Sequence, residues 1–208
     1  MDNDLLYVHH DRTSAGVMFA PMKRAFVDND GILRLKYWEG NEALKGEKIN
    51  LRPRGEDEVY FETCLDVSVG VILEGKMDVG KEQCGLLIEC LTDQTVGILT
   101  SDSGITECGP FNKELACINA QEIERFDRGL GNLESATWRL LLRWDKAEFY
   151  LNDMFIQSIR LPGNATGRIG IFPTSADRQF CKTACWQMSL ESAAPSSAKG
   201  LQTGVDGI

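Results

Sequence analysis

The chain has 208 residues, 43% hydrophobic and 25% charged, an ordinary globular composition with enough apolar residues for a sizeable core. Its net charge of −9 contains no block of like charge. That disfavours nucleic acid, whose binding rests on Lys and Arg neutralising phosphates, and no apolar run approaches the roughly 20 residues of a membrane-crossing helix.

The opening Met1-Asp2-Asn3-Asp4 is acidic and leads into no long apolar stretch. A cytosolic protein is expected, or a secreted one whose leader has been removed. Residues 1–21 precede the first clear strand pair and read as a connecting segment. Leu5, Leu6, Tyr7, Val17, Met18 and Phe19 are too apolar for a free linker. They are expected to lie against a neighbouring domain, fold back on this one, pair with a second copy, or fray.

Ala25-Phe26-Val27, the turn Asp28-Asn29-Asp30-Gly31 and residues 32–38 predict a hairpin with an Asp-Gly cue. Residues 60–67 and 69–76 predict two more strands. Residues 85–91 and 95–100 read as a pair across Thr92-Asp93-Gln94. Between 112 and 127, Leu115, Ile118, Ile123 and Phe126 suit a short helix or an irregular strand.

Strict alternation then returns. Trp138, Leu140, Leu142 and Trp144 share one face and are expected in the core, while Arg139, Leu141 and Arg143 take the other. Turns at Asp145-Lys146 and Asn152-Asp153 join residues 138–144, 148–151 and 154–161 into an antiparallel meander closed by Pro162-Gly163-Asn164. Residues 168–172 form another strand. About ten strands with turn signals every ten residues or so predict an all-β sandwich or barrel over residues 22–191. Residues 192–208, rich in Ala, Ser and Gly, read as a flexible tail.

Little in this pattern points to catalysis. The seven cysteines include no Cys-x-x-Cys pair, and His9 and His10 sit side by side, so no spaced zinc set is present. The cysteines read as reduced, buried small hydrophobes, with Cys181 and Cys185 the single suggestive spacing. Glu122-Ile123-Glu124-Arg125-Phe126-Asp127 comes nearest to the alternating carboxylates of sandwich-fold glycan hydrolases. It lacks their Glu-x-Asp-x-x-Glu order, and retaining chemistry needs two carboxyls about 5 Å apart. No catalytic residue, metal ligand or cofactor is assigned. Among the aromatics, Tyr150 shares parity with Glu148 and Asn152, and Trp38 with Arg34 and Lys36. Tyr150, Asn152 and Trp38 are therefore the candidate carbohydrate-binding residues, with the rings as platforms for a sugar face. Asn164-Ala165-Thr166 fits the glycosylation acceptor pattern in a turn.

Three stretches carry a resemblance. Residues 22–33, Met-Lys-Arg-Ala-Phe-Val-Asp-Asn-Asp-Gly-Ile-Leu, are followed by Tyr37-Trp38-Glu39 and Glu42-Ala43-Leu44. Gln83-Cys84-Gly85-Leu86-Leu87-Ile88 forms the second stretch. The third runs from Leu140 to Asp153 and contains Arg143-Trp144-Asp145-Lys146-Ala147-Glu148-Phe149-Tyr150-Leu151-Asn152-Asp153. Together they resemble the C-terminal module of glycoside hydrolase family 32, the invertases, inulinases and levanases, over about residues 17–190. Arg24-Ala25-Phe26 stands where that family usually has Arg-Glu-Leu.

The resemblance implies a two-sheet antiparallel β-sandwich of the concanavalin A-like, jelly-roll type. In that family a five-bladed propeller precedes the sandwich and carries Asn-Asp-Pro-Asn-Gly, Arg-Asp-Pro and Glu-Cys motifs. The first two are absent here, and Glu89-Cys90 and Glu107-Cys108 fall within the sandwich itself. The resemblance thus implies a non-catalytic module whose partner is a catalytic propeller in a longer parent, or a second copy of itself. The alternatives are an independent carbohydrate-binding module and a small glycosidase of the concanavalin A-like type.

Overall fold

The computed structural model describes residues 5–52, 61, 63–79, 82–172 and 183–189. Cys181, the 192–208 tail, and residues 60 and 62 of the strand expected at 60–67 lie outside these residues. The first strands are β1 (Leu5–Tyr7), β2 (His10–Thr13), β3 (Gly16–Phe19), β4 (Lys23–Val27) and β5 (Leu33–Tyr37). A short 3₁₀ helix at Glu39–Leu44 leads to β6 (Lys45–Ile49). Then come β7 (Val71–Asp78), β8 (Cys84–Cys90), β9 (Thr95–Thr100), β10 (Thr106–Asn112), β11 (Cys117–Ile118) and β12 (Glu124–Phe126). The last group is β13 (Ser135–Arg143), β14 (Lys146–Leu151), β15 (Met154–Arg160), β16 (Ala165–Phe172) and β17 (Ala184–Met188).

These strands form two antiparallel sheets of a concanavalin A-like sandwich. One sheet has nine strands in the order β1-β4-β5-β15-β14-β13-β7-β17-β6. The other runs β11-β10-β9-β8-β16, with β12 also on β10. β2 and β3 make a separate hairpin.

The period-2 pattern places the core between the sheets. Trp138, Leu140 and Leu142 from β13 meet Leu86, Ile88 and Ile98 from the facing sheet, all essentially excluded from water. Burying each such aliphatic side chain stabilises by about 1.5–3 kcal/mol. Trp138 stands opposite Gly75, and the indole needs that glycine: a Cβ there would come within 2.6 Å of the ring.

Both sheets also bury part of their outer faces. Ile72, Leu141, Tyr37, Tyr150 and Met188 form a second cluster on the nine-stranded sheet. Leu87, Leu99, Phe111 and Ile118 form a third on the other sheet. Runs such as Gly85-Leu86-Leu87-Ile88 are accordingly apolar at consecutive positions, as two-sided burial requires.

Turn chemistry fixes several registers. Asp28 Oδ1 accepts the N–H groups of Asp30 and Ile32, which closes the β4–β5 hairpin. Asn152 and Asp153 both have positive φ, at 47° and 62°, the primed-turn geometry of a two-residue hairpin.

The structure differs from the sequence reading at several places. The turn after β13 is Trp144-Asp145, with Lys146 already in β14. Trp144 therefore leaves the alternation at φ 50° and is half-buried against Arg143 rather than in the core. Along residues 60–67, Phe61 makes a single bridge and residues 63–67 are not strand. The N–H groups of Phe61 and Leu65 nevertheless donate to Ile169 and Gly167 carbonyls beside β16. The ambiguous stretch contains β11 and β12 and no helix, because Asn112 Oδ1 caps a turn at Glu114 and Leu115. Residues 5–21, expected as a connecting segment, supply β1 on the edge of the large sheet and the β2–β3 hairpin.

Candidate functional site

Lys23 opens β4 and Glu148 lies two residues into β14, both on the outer face of the large sheet. Lys23 is fully buried and Glu148 nearly so. Lys23 Nζ donates to Glu148 Oε1 at 2.7 Å and to the Pro21 carbonyl at 2.9 Å. Tyr150 Oη donates to Glu148 Oε2 at 2.8 Å, so both carboxylate oxygens are engaged. A buried charge is tolerated only when paired in this manner. Burial, with the Glu148 charge beside it, pushes the Tyr150 phenol well above its ordinary value.

The β2–β3 hairpin folds over this pair. Ser14 N–H donates to Asp145 Oδ1, Ser14 Oγ donates to Asn164 Oδ1, and Ala20 N–H donates to the His9 carbonyl. The hairpin brings Asp11, only 6% exposed, beside Lys146 at 3.5 Å and His9 at 3.6 Å. His9 Nε2 is also 3.6 Å from Glu148 Oε1. Its pKa is lowered, first by burial and next by the Lys23 charge, against the pull of Glu148 and Asp11.

Between the hairpin, the 3₁₀ helix and the outer sheet face lies a cavity of about 460 Å3, the size of a small-molecule pocket. Asp11, Asn41, Lys146 and Glu148 give it polar lining, and Phe19 and Trp38 stand among its apolar walls. Trp38 is half-buried and its indole rests on Gly40, where a Cβ would fall 2.2 Å from the ring. Asn41 is held by its own N–H to the Trp38 carbonyl and by Nδ2 to the Met22 carbonyl at 2.6 Å.

The charges define what the cluster can do. Ligand atoms of His9, Asp11 and Glu148 lie within 4.8 Å of one another, close enough for a metal ion. Lys23 and Lys146 already supply positive charge to those carboxylates, so the cluster does not need a cation. The Asp11 and Glu148 carboxylates are near the roughly 5 Å separation of a retaining glycosidase. Glu148, however, accepts from an ammonium on one oxygen and from a phenol on the other. That is a brace rather than an acid or a nucleophile.

The sequence candidates separate here. Trp38 lines the cavity. Tyr150, expected to face water, is fully buried, because β4, β5 and β15 cover that face: its ring meets Tyr37 at 5.5 Å and Phe155 at 5.4 Å. Asn152 is exposed, but its Oδ1 accepts the N–H and hydroxyl of Thr137, a turn-fixing role away from the cavity lining. Glu122 and Glu124 line a different cavity of about 410 Å3, and neighbouring Arg125 pairs with Glu107 at 2.6 Å. Asp11, Lys23, Asn41, Lys146 and Glu148 were not singled out from sequence. The sole trace of them was the odd polarity of Lys23 and Glu148 within apolar strands.

No family model and no curated protein sequence matches the chain. Among solved structures it is similar to sucrose-6-phosphate hydrolase from Lactobacillus gasseri, with TM-score 0.58 and 14% identity. That match covers 90% of this chain and 39% of the hydrolase. It is similar too to a glycoside hydrolase family 32 structure from Bifidobacterium adolescentis, with TM-score 0.54 and 12% identity over 83% of this chain and 26% of the other. At these identities the likeness is one of fold. The chain has a β-sandwich found within glycoside hydrolase family 32 structures, and it spans 39% and 26% of their lengths.

Proposed function

We propose that this chain is a non-catalytic sandwich module of a fructan- or sucrose-cleaving type of protein, supporting a catalytic propeller. The observation that carries the reading is the asymmetry of coverage: nearly all of this chain matches well under half of a sucrose-6-phosphate hydrolase. Two further facts support it. The close carboxylates Asp11 and Glu148 are both engaged with lysines, and each oxygen of Glu148 already accepts a hydrogen bond. The N-terminal strands leave Leu5, Val17, Phe19, Val27 and Leu33 each about two-thirds exposed, the apolar surface a module would turn towards a neighbouring domain.

The test is hydrolysis. The purified chain should release no reducing sugar from sucrose, inulin or levan, and the coding sequence upstream should encode a propeller. Turnover of any of these substrates, abolished by Asp11→Asn or Glu148→Gln, would overturn the reading.

A further inference from the structure

The cavity between the β2–β3 hairpin, the 3₁₀ helix and the large sheet is lined by polar groups with hydrogen-bonding capacity to spare. Asp11 is 94% buried by difference from its 6% exposure. Its contacts all go to Oδ1 and none is shorter than 3.4 Å: Ser158 Oγ at 3.4 Å, Lys146 Nζ at 3.5 Å and His9 Nε2 at 3.6 Å. Among the described residues Oδ2 accepts no hydrogen bond. Lys146 Nζ has three hydrogens and, among the described residues, that 3.5 Å contact. Asn41, 4% exposed, uses its amide N–H on Met22 and leaves Oδ1 unengaged among the described residues. All three residues line the cavity, where a ligand can reach them. A bound group with both donors and acceptors would complete all three.

The charge balance narrows the chemistry. A cation would meet Lys146 and Arg143, and an anion would meet Asp11 and Glu148, so neither sign is favoured in the cavity. A purely apolar ligand would leave Asp11, Asn41 and Lys146 unpaired. A neutral hydroxylated ring offers O–H donors to Asp11 Oδ2 and Asn41 Oδ1 and an oxygen acceptor to Lys146. Its C–H face suits the indole of Trp38, which Gly40 holds in the wall. Phe19 and Met22 are 68% and 41% exposed and add an apolar rim.

We infer that this cavity binds a single neutral sugar residue, with Trp38 as the platform and Asp11, Asn41 and Lys146 as its hydrogen-bonding set. The inference does not depend on whether a propeller adjoins the module. It requires only the cavity, and it fails or stands separately from the hydrolysis test.

The experiment is calorimetric titration of the purified chain with D-fructose, D-glucose, D-galactose and sucrose in turn, paired with thermal melting of each variant. At least one of the four should give saturable binding in the millimolar range or tighter. Trp38→Ala should weaken it at least tenfold, which corresponds to about 1.4 kcal/mol, while leaving the melting temperature near that of the parent. Trp38→Phe should restore part of the affinity, and Asp11→Asn should weaken binding as Trp38→Ala does. If Asp11→Asn melts early, the two Trp38 variants decide the matter alone. No saturable heat with any of the four sugars, or affinity unchanged in Trp38→Ala, would overturn the proposal.

Discussion

Replacing Glu148 with Gln tests the buried brace beneath the hairpin most directly. The substitution keeps the side-chain volume and removes one charge. Lys23 would remain fully buried with its anionic partner gone, its ammonium left to neutral groups: the new amide oxygen, the Pro21 carbonyl at 2.9 Å and the face of Phe155 at 4.8 Å. Removing one member of a buried ion pair strands the other, at a cost of about 3–5 kcal/mol. Lys23→Met strands the carboxylate instead, although Tyr150 still donates to it. The double variant removes both charges of the pair and strands neither, so its loss should be well below the sum of the two single losses. The difference is a coupling energy of about 0.5–3 kcal/mol. Urea unfolding followed by tryptophan fluorescence at neutral pH measures all four proteins on one scale. A loss below about 1 kcal/mol for Glu148→Gln, or single losses that simply add, would mean the pair is not the brace described.

Leu142→Ala removes a fully buried side chain from the core of β13 and should destabilise by about 2–5 kcal/mol, read from the shift in urea midpoint. A thiol-labelling reagent should modify exposed Cys64 and Cys117 first, as peptide mapping would show. Cys90, Cys108 and Cys185 should react only on unfolding, since burial raises their pKa to about 11, about 12 and about 12. Labelling of Cys108 at the rate of Cys64 would refute this burial. His9 is held below its ordinary value of 6.5, so the unfolded chain takes up a proton that the folded chain resists. Its contribution to stability is present above pH 6.5 and is lost as the pH falls from there through its folded pKa. His9→Gln should flatten that part of the urea-midpoint profile.

The architecture was legible where alternation and turn chemistry agreed. Asp28 and Gly31 marked the β4–β5 hairpin, and the 138–144 pattern located β13 because its inner positions are apolar without interruption. Parity failed where the outer face is also covered. Tyr150 and Glu148 share a face that in a simple meander would be wet, but β4 and the β2–β3 hairpin close over it. Phe155 is close to Tyr150 in the chain, but Tyr37, Lys23 and Asp11, which complete the cover, are more than a hundred positions away and nothing local announces them. Trp144 failed for a different reason: one position decides whether a residue continues a strand or turns, and Trp144 turns. Of the candidate sugar-binding residues, Trp38 alone reached the cavity, because its neighbours Gly40 and Asn41 are cavity residues too. The polar groups around the cavity floor come from β2, β4, β14 and the 3₁₀ helix and could not be assembled from spacing.

The placement of β17 in the large sheet bears on how the chain is made. β6 is an edge strand whose ladder partner is β17, and β17 lies between β6 and β7. During synthesis, residues 45–49 leave the ribosome long before residues 184–188 exist. At about 5–20 residues per second that wait is on the order of ten seconds. Throughout it, β6 has no neighbour to complete its hydrogen bonds, and the β7 edge that β17 will occupy stands open. Closure of the nine-stranded sheet is therefore a late event that joins distant parts of the chain, the class of step that slows folding and favours chaperone engagement.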